Sequence, residues 1–339
     1  MVIPKIVYFG PMLKSRISSL FKDFSQPLEL VNGGTLVNIT PDKVREAIRD
    51  ATVILTNPDT PHLSKNILEA AKKVRLIQTM TVGYDRIDLQ GATELGIPVA
   101  NVPGYNSISV AEYTIMLILM TLRKTLYMIR KNENGLKISD LVSNFKDFRE
   151  FKDKTLGIVG LGDIGREVVK RARCFGPEII YYKRSRLSVE EEKQLGVEYR
   201  PFSELLAESD IISLHVPLND ETRGMIGEDE IGSMKDGAII INTARAGIID
   251  ESAVAEALNS GKLSGAGLDF VNTRVENGVH VPDSPLLECE NVVITPHIAG
   301  PTRESRLRGQ EQWAENVIRL LNGEKPRYLV NDVWPSNAE

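Results

Sequence analysis

The sequence is poor in cysteine, with only Cys174 and Cys289 among its 339 residues. Two cysteines do not make a disulfide framework, and neither belongs to a spaced metal-binding motif. We therefore expect no metal site, and a cytoplasmic setting. Cys174 falls on a predicted helix, where packing is its simplest role.

Long hydrophobic runs and an excess of positive charge are also missing. The longest apolar run, Thr114–Leu122, is too short to span a bilayer. No signal peptide is expected before the first strand-like segment. The 41 Lys and Arg residues are set against 46 Asp and Glu, for a formal net charge of −5. General attraction to nucleic acid or to an anionic membrane is therefore not expected.

The first hundred residues alternate short apolar runs with helical patterns, and a chain of this length suits two domains. Strands are predicted at Ile3–Phe9, Thr52–Thr56, Leu76–Thr79 and Ile97–Asn101, and helices at Pro41–Arg49 and Leu63–Lys73. This alternation predicts a parallel sheet covered by helices. The segment has no glycine fingerprint, so we interpret it as a domain that does not bind a nucleotide.

The segment Lys154–Gly176 carries the pattern around which the chain is organised. An apolar run, Thr155–Val159, predicts a buried strand, and Gly160, Gly162 and Gly165 then form the pattern G-x-G-x-x-G before a helical pattern. A strand before the glycines and a helix after them distinguish a dinucleotide-binding fingerprint from a chance match. The glycines permit a tight turn, close approach of a pyrophosphate and close packing of helix on strand. The alternative is a glycine-rich turn without a ligand.

Strand and helix patterns continue to a last predicted strand at Val292–Thr295. Polar residues come just after the carboxyl ends of several of these strands: His215, Thr243, Arg245, Asp269 and His297. In a doubly wound sheet this edge is where ligands bind.

Two predicted helices flank this second domain. Ile108–Arg130 is more apolar than a one-sided surface helix needs, so we expect burial between domains or by a second copy of the protein. Glu304–Asn322 forms a helical tail that is expected to return to the first domain.

Seven motifs follow one another between about Ile77 and Gly300: VGYDRID, NSISVAEYTIMLIL, GLGDIG, HVPL, NTARAGIID, GLD and TPHIAG. This set resembles the D-isomer-specific 2-hydroxyacid dehydrogenases, which include glyoxylate/hydroxypyruvate reductases, D-lactate dehydrogenases and phosphoglycerate dehydrogenases. The resemblance implies an α/β fold with two doubly wound parallel-sheet domains. A Rossmann cofactor domain, 104–300, would be inserted into a flavodoxin-like substrate domain, 1–103 and 301–339. It also implies a homodimer formed through the helix around 108–130.

The resemblance further implies NAD(P)H-dependent reduction of a small 2-oxo acid, of glyoxylate or hydroxypyruvate type, to the D-2-hydroxy acid. Such a reduction needs a cation for the carboxylate and ketone, a proton donor and a hydride. Arg245, in NTARAG, matches the catalytic arginine of the family, and His297, in TPHIAG, matches its acid/base histidine. The alternatives are phosphoglycerate or D-lactate dehydrogenase activity, or a non-catalytic, nucleotide-sensing protein like a corepressor.

The third catalytic position departs from the family pattern. The family usually has a glutamate five residues after the GLD aspartate, and this chain has Arg274 there. The stretch after Asp269 is also several residues longer than usual, which makes Glu276 the nearest carboxylate that could pair with His297. The alternative is that Arg274 and Glu276 belong to a solvated loop.

Substrate anchoring is expected from the backbone N–H groups of Val82 and Gly83, and from Asn106 in the strap between the domains. Asp269 matches the residue that hydrogen-bonds the nicotinamide amide, with a turn-capping aspartate as the alternative. The resemblance and the fingerprint together assign these residues to the cofactor: Gly160, Leu161, Gly162, Asp163, Ile164, Gly165, Lys183, Arg184, Ser185, Arg186, His215, Val216, Pro217, Thr222, Thr243, Ala244, Asp269 and Gly300.

The cofactor type is predicted from the residues that follow the second strand of the cofactor domain. NAD-selective sites have an acidic residue there, whereas this chain has Lys183, Arg184, Ser185 and Arg186. Three cations and a hydroxyl suit a 2′-phosphate, so NADP is the preferred cofactor and NAD a possible one. The alternative is a basic surface loop balanced by Glu190–Glu192.

Overall fold

The structure is a computed structural model that describes residues 3–12, 14–22, 24–34, 39–57, 60–276 and 279–334. The chain divides into two compact units. The first unit contains the residues up to Asn106 and those from Arg303 onward, and the second unit is Ser107–Thr302. The sequence placed these boundaries after residues 103 and 300.

The described strands are short and are numbered in chain order. They are β1 Lys5–Tyr8, β2 Glu29–Asn32, β3 Val53–Thr56, β4 Leu76–Thr79, β5 Val99–Ala100, β6 Thr155–Val159, β7 Glu178–Tyr182, β8 Glu198–Tyr199, β9 Ile211–Leu214, β10 Ala238–Asn242, β11 Leu263–Leu268, β12 Thr273–Glu276, β13 Val279–Pro282 and β14 Val292–Ile294.

The α-helices are numbered in the same way. They are α1 Lys14–Leu20, α2 Pro41–Ile48, α3 Lys65–Leu68, α4 Leu89–Glu94, α5 Ser107–Leu122, α6 Thr125–Glu133, α7 Ile138–Asn144, α8 Asp163–Ala172, α9 Val189–Leu195, α10 Phe202–Glu208, α11 Glu228–Ser233, α12 Glu251–Ser260 and α13 Arg303–Leu321. None of the helices in the described part of the chain is both long and apolar enough to cross a membrane.

The first unit is built on a five-stranded parallel sheet of order β2-β1-β3-β4-β5. This is the flavodoxin-like order, which confirms the predicted fold class. The tail helix α13 packs on this sheet, with Trp313, only 1% exposed, in one core with Ile6 and Leu55. The amide of the buried Asn316 donates to the Gln78 side-chain oxygen at 2.9 Å. Apolar packing and this buried hydrogen bond therefore hold the tail helix on the sheet of this unit.

The second unit is built on a seven-stranded parallel sheet of order β14-β11-β10-β9-β6-β7-β8. The strand order reverses between β6 and β9, which is the switch point of a Rossmann-type sheet. The strands β12 and β13 form a separate antiparallel hairpin between β11 and β14. The extra residues that the sequence showed after Asp269 are therefore folded as a hairpin.

The predicted helix over Ile108–Arg130 is two helices, α5 and α6. The break falls at Lys124, which has a left-handed backbone with φ 49° and donates from its side chain to Asp147 at 2.9 Å. Helix α5 is apolar on several sides because it packs within its own unit, where Leu117 and Ile118 join one core with strand β6 and helix α8. Burial within the unit accounts for most of its apolar composition.

Candidate active site

The second unit collects its polar strand ends at one edge. Its sheet is parallel, so the residues that follow the strands meet at the carboxyl edge. The residues that leave this edge are Gly160 after β6, Lys183 after β7, His215 after β9, Thr243 after β10, Asp269 after β11 and His297 in the loop after β14. The remaining predicted cofactor residues of this edge, Val216, Pro217, Thr222, Ala244 and Gly300, lie in the loops that follow the same strands. The location predicted for these residues is thus observed, while their roles stay predictions.

The three fingerprint glycines have different surroundings. Gly160 has φ 95°, and a Cβ there would lie 2.6 Å from the His215 carbonyl oxygen. A Cβ on Gly165 would clash with the Gly160 carbonyl oxygen. A Cβ on Gly162, at the N-cap of α8, would meet no described atom within 4 Å. Packing therefore requires glycine at positions 160 and 165, whereas glycine at position 162 leaves open space.

That open space lies at the N-terminus of α8. The first N–H groups of an α-helix, here those of Asp163, Ile164 and Gly165, have no acceptor within the helix and attract anions. Leu161 is fully buried beneath this turn. The free N–H groups, together with the missing side chain at Gly162, fit the pyrophosphate of the predicted dinucleotide.

His215 offers a second point of fit for the cofactor. Its Nε2 lies 2.8 Å from the Ser213 hydroxyl, while its Nδ1 is buried and has no hydrogen-bond partner among the described residues. Burial lowers the pKa of His215 to about 3, so the imidazole is neutral at physiological pH. A neutral ring with one free nitrogen suits the predicted cofactor contact and is unsuited to proton transfer.

Arg245 is positioned by the turn after β10. The fully buried side chain of Asn242 closes this turn by donating to the Arg245 carbonyl at 2.8 Å and accepting from the Ala244 N–H at 3.0 Å. The guanidinium donates to the Ala244 carbonyl at 2.7 Å, and its carbon lies 5.8 Å from the ring centre of Phe270. Sequence reasoning missed Asn242, although it stands in the same NTARAG motif.

His297 is held in a left-handed backbone conformation, with φ 60°. For a residue other than glycine this conformation costs on the order of 1–2 kcal/mol. Its N–H donates to the Asp269 carbonyl at 2.8 Å. The Asp269 carboxylate, which is 1% exposed, accepts from the Thr295 hydroxyl at 2.7 Å and from the Ile298 and Ala299 N–H groups at 2.9 Å.

Asp269 therefore has a structural function in this turn, in line with the turn-capping alternative. Two carboxylate oxygens can accept about four hydrogen bonds, and three are in use. Among the described residues one acceptor position is unused, which leaves room for the predicted contact with a nicotinamide amide; that contact stays a prediction.

The environment of His297 lowers the pKa of its imidazole below the ordinary value of 6.5. Burial of part of the ring is the main cause, followed by the positive charge of Arg245, while the charge of Asp269 acts in the opposite direction. The side chain nevertheless keeps an exposed surface. Its proton is thus accessible, and the protonated form is more acidic than that of an isolated histidine.

Glu276 does not pair with His297 as the sequence suggested. Its carboxylate accepts from the Arg274 Nε at 2.8 Å, and Arg274 also donates to Asp283 at 2.9 Å. The two residues are separated by one position on β12, and alternate residues of a strand lie on the same face. Within the described ranges, no carboxylate hydrogen-bonds the His297 ring. The exposed ion pairs agree with the alternative of a solvated segment.

The basic residues after β7 are not equivalent. Arg186 donates from Nε and Nη2 to both Glu192 oxygens, at 2.8 and 2.9 Å. Arg184 approaches Glu221 at 3.5 Å, with both side chains largely exposed, so this pair contributes little. Lys183 makes no ion pair with the residues that the structure describes, and Ser185 is exposed beside it. The alternative of a balanced loop thus fits Arg186 but not Lys183.

The predicted substrate residues belong to the first unit. The carbonyl groups of Val82 and Gly83 accept from Asn101 and Thr81, each at 2.9 Å. In the described segments their N–H groups make no hydrogen bond, and the buried Oδ1 of Asn106 also has no partner there. These groups fit the predicted carboxylate contacts, which stay a prediction.

Comparison with known proteins identifies the family. A family model described as "D-isomer specific 2-hydroxyacid dehydrogenase, NAD binding domain" matches residues 115–299. The chain belongs to this dehydrogenase family. A glyoxylate reductase of Thermococcus litoralis is 42% identical over 302 residues, covering 87% of each chain. A hydroxypyruvate reductase of Thermotoga maritima is 39% identical over 287 residues, covering 85% of this chain and 90% of that one.

Solved structures agree with this family assignment. The crystal structure of a glyoxylate reductase from Paecilomyes thermophila has a TM-score of 0.80 to this chain at 31% identity. The match covers 97% of this chain and 99% of that chain. The two-unit α/β dehydrogenase fold is therefore shared over nearly the whole length.

We predict that Gly162→Ala folds normally but binds nicotinamide dinucleotide roughly tenfold more weakly, since its methyl group enters the open space at α8. Gly165→Ala is the matched control, because its methyl group clashes with backbone and should lower the free energy of unfolding by about 1–3 kcal/mol. Titration calorimetry and chemical denaturation measure the two effects. Unchanged affinity in Gly162→Ala would contradict the assignment.

Proposed function

We propose that this protein reduces a small 2-oxo acid, of glyoxylate or hydroxypyruvate type, to the D-2-hydroxy acid with hydride from a nicotinamide dinucleotide. The observation that carries the proposal is the presence of Arg245 and His297 at the same sheet edge as the glycine fingerprint. The contact of both side chains with Phe270 brings the cation and the proton donor together. The names of the relatives support the choice of substrate class.

The roles of the side chains follow from the charge that develops during reduction. The bound dinucleotide supplies the hydride. Arg245 binds the substrate carboxylate and polarises the carbonyl oxygen, on which negative charge accumulates as the carbon is reduced. His297 donates its proton to that oxygen and becomes neutral, and in the reverse direction it accepts the proton. Val82 and Gly83 N–H groups and Asn106 are proposed as further substrate contacts.

The first experiment is a panel of glyoxylate, hydroxypyruvate, 3-phosphohydroxypyruvate and pyruvate, assayed with NADH and with NADPH. We expect the highest kcat/KM for glyoxylate or hydroxypyruvate. Reduction needs protonated His297, whose pKa is lowered, so kcat/KM should rise as pH falls through a value below 6.5. His297→Asn should remove this dependence and lower kcat about 10²–10⁴-fold. Arg245→Ala should lower it about 10²–10³-fold.

His62→Asn is the control for these variants, because His62 is an exposed histidine of the first unit. It should keep the activity and the pH profile of the wild type. Absence of turnover with every acid would favour a nucleotide-sensing protein instead. A clear preference for 3-phosphohydroxypyruvate would favour phosphoglycerate dehydrogenase activity.

We further propose that NADP is the preferred cofactor and that Lys183 and Arg184 contact its 2′-phosphate. Support comes from the long, exposed ion pair of Arg184 and from the absence of an ion pair between Lys183 and any described residue, whereas Arg186 is held by Glu192. Replacing both, as Lys183→Asp with Arg184→Ala, should weaken NADPH binding about tenfold or more and NADH binding much less. Lys193→Ala, an exposed lysine on α9, is the control.

Fluorescence titration with both dinucleotides, repeated at high salt, measures this selectivity. Salt should weaken NADPH binding selectively because it screens an exposed phosphate contact. Equal dissociation constants for NADPH and NADH in the wild type would overturn the preference, without affecting the proposed reaction.

A homodimer is the third part of this proposal. Large apolar side chains remain exposed on and beside α6 and α7, with Ile129 47%, Ile138 80%, Val142 56% and Phe145 55% exposed. Such residues are typical of a surface that another chain covers. The wild type should sediment as a dimer, and Ile138→Glu with Val142→Glu should give monomers. Ile3→Glu, an exposed position of the first unit, should remain dimeric. A monomeric wild type at micromolar concentration would contradict the proposal.

A further inference from the structure

Phe270 contacts both of the side chains to which the proposed chemistry is assigned. It directly follows Asp269 at the end of β11. Its ring centre lies 3.9 Å from that of the His297 imidazole, with 59° between the planes. The Arg245 guanidinium carbon lies 5.8 Å from the same ring centre. One aromatic ring thus lies close to both the proposed proton donor and the proposed cation.

The position of this ring is fixed from both ends of its short segment. On one end, Asp269 is buried and hydrogen-bonded to the turn that carries His297. On the other end, the Asn272 N–H donates to the carboxylate of Glu251 at 2.7 Å. Glu251 is the first residue of α12 and is only 4% exposed. Two buried carboxylates therefore hold the segment that presents Phe270.

A carboxylate orients an imidazole by accepting a hydrogen bond from one of its nitrogen atoms, whereas an aromatic ring orients it by packing alone. Contact with the ring restricts the rotation of the His297 side chain but takes up neither of its nitrogen atoms. One nitrogen can then face the reacting oxygen. The same ring offers its electron-rich surface to the Arg245 guanidinium.

We propose that Phe270 is a positioning residue that holds the His297 imidazole and the Arg245 guanidinium in their working arrangement, in place of a carboxylate paired with the histidine. The inference rests on the proposed function, because it assigns Phe270 to the geometry of that reaction. It explains how the site is ordered although Glu276 is engaged by Arg274.

The test compares Phe270→Leu, which removes the ring, with Phe270→Tyr, which keeps it. Phe270→Leu should lower kcat about 10–100-fold, the loss expected when a reacting group is misplaced by about 1 Å. The KM for the oxo acid should change far less than kcat, and dinucleotide affinity should stay at the wild-type value. Phe270→Tyr should restore most of kcat. Phe175→Leu, at a partly exposed phenylalanine of the same unit, is the control and should resemble the wild type.

A second measurement is independent of turnover. A ring 3.9 Å away should displace the His297 imidazole proton resonances, and Phe270→Leu should remove this displacement while Phe175→Leu retains it. Wild-type kcat in Phe270→Leu, or equal losses in Phe270→Leu and Phe270→Tyr, would overturn the inference. An undisplaced resonance in the wild type would overturn it as well. If the wild type shows the displaced resonance but reduces no 2-oxo acid, the proposed function fails while the positioning contact stands.

Discussion

The buried carboxylate of Asp269 is the group on which the geometry of the candidate site depends. It accepts three hydrogen bonds from the turn after β14, and its backbone bonds to Asn242 on one side and to His297 on the other. Leaving the buried Ala299 N–H without an acceptor would alone cost about 1–3 kcal/mol. These bonds stabilise a left-handed residue, His297, and at the same time fix the start of the segment that presents Phe270.

The charges around His297 differ from those of the family pattern, in which a glutamate is expected beside the histidine. The carboxylate that could have paired with the histidine is neutralised by Arg274 in the β12–β13 hairpin. The groups that act on His297 are its buried surroundings, Arg245 and Asp269, with a net effect that lowers the pKa of the imidazole. At neutral pH the neutral form is therefore favoured in the free protein. In the proposed reaction that form would be the base for oxidation of a hydroxy acid, and reduction would become faster as the pH falls.

The basic residues that follow β7 differ in how strongly neighbouring carboxylates hold them. Arg186 is held by both oxygens of Glu192, whereas Arg184 has only a long contact with an exposed carboxylate. An exposed and weakly paired cation loses little when it turns to a ligand. For this reason we assign the proposed 2′-phosphate contact to Lys183 and Arg184. Arg186 instead links the end of β7 to α9 through its ion pair with Glu192.

The sequence by itself determined the parts of this protein that depend on local sterics and periodicity. Short apolar runs predicted β4 and β6 with their observed bounds, and the glycines that follow β6 marked the strand–helix turn. Because parallel strands end at a common edge, the location of Arg245 and His297 also followed from the pattern. Their roles came from the family resemblance and stay predictions.

Only the tertiary structure determined the hydrogen-bond and packing partners of the side chains at the candidate site. The bonds of Asp269 to the His297 turn and the contact of Phe270 with Arg245 and His297 join residues that are distant along the chain. The hairpin register that gives Glu276 to Arg274 likewise depends on pairing with a second strand. A linear pattern records residue types and spacing, but a hydrogen bond depends on distances of a few tenths of an ångström that the packed chain alone sets.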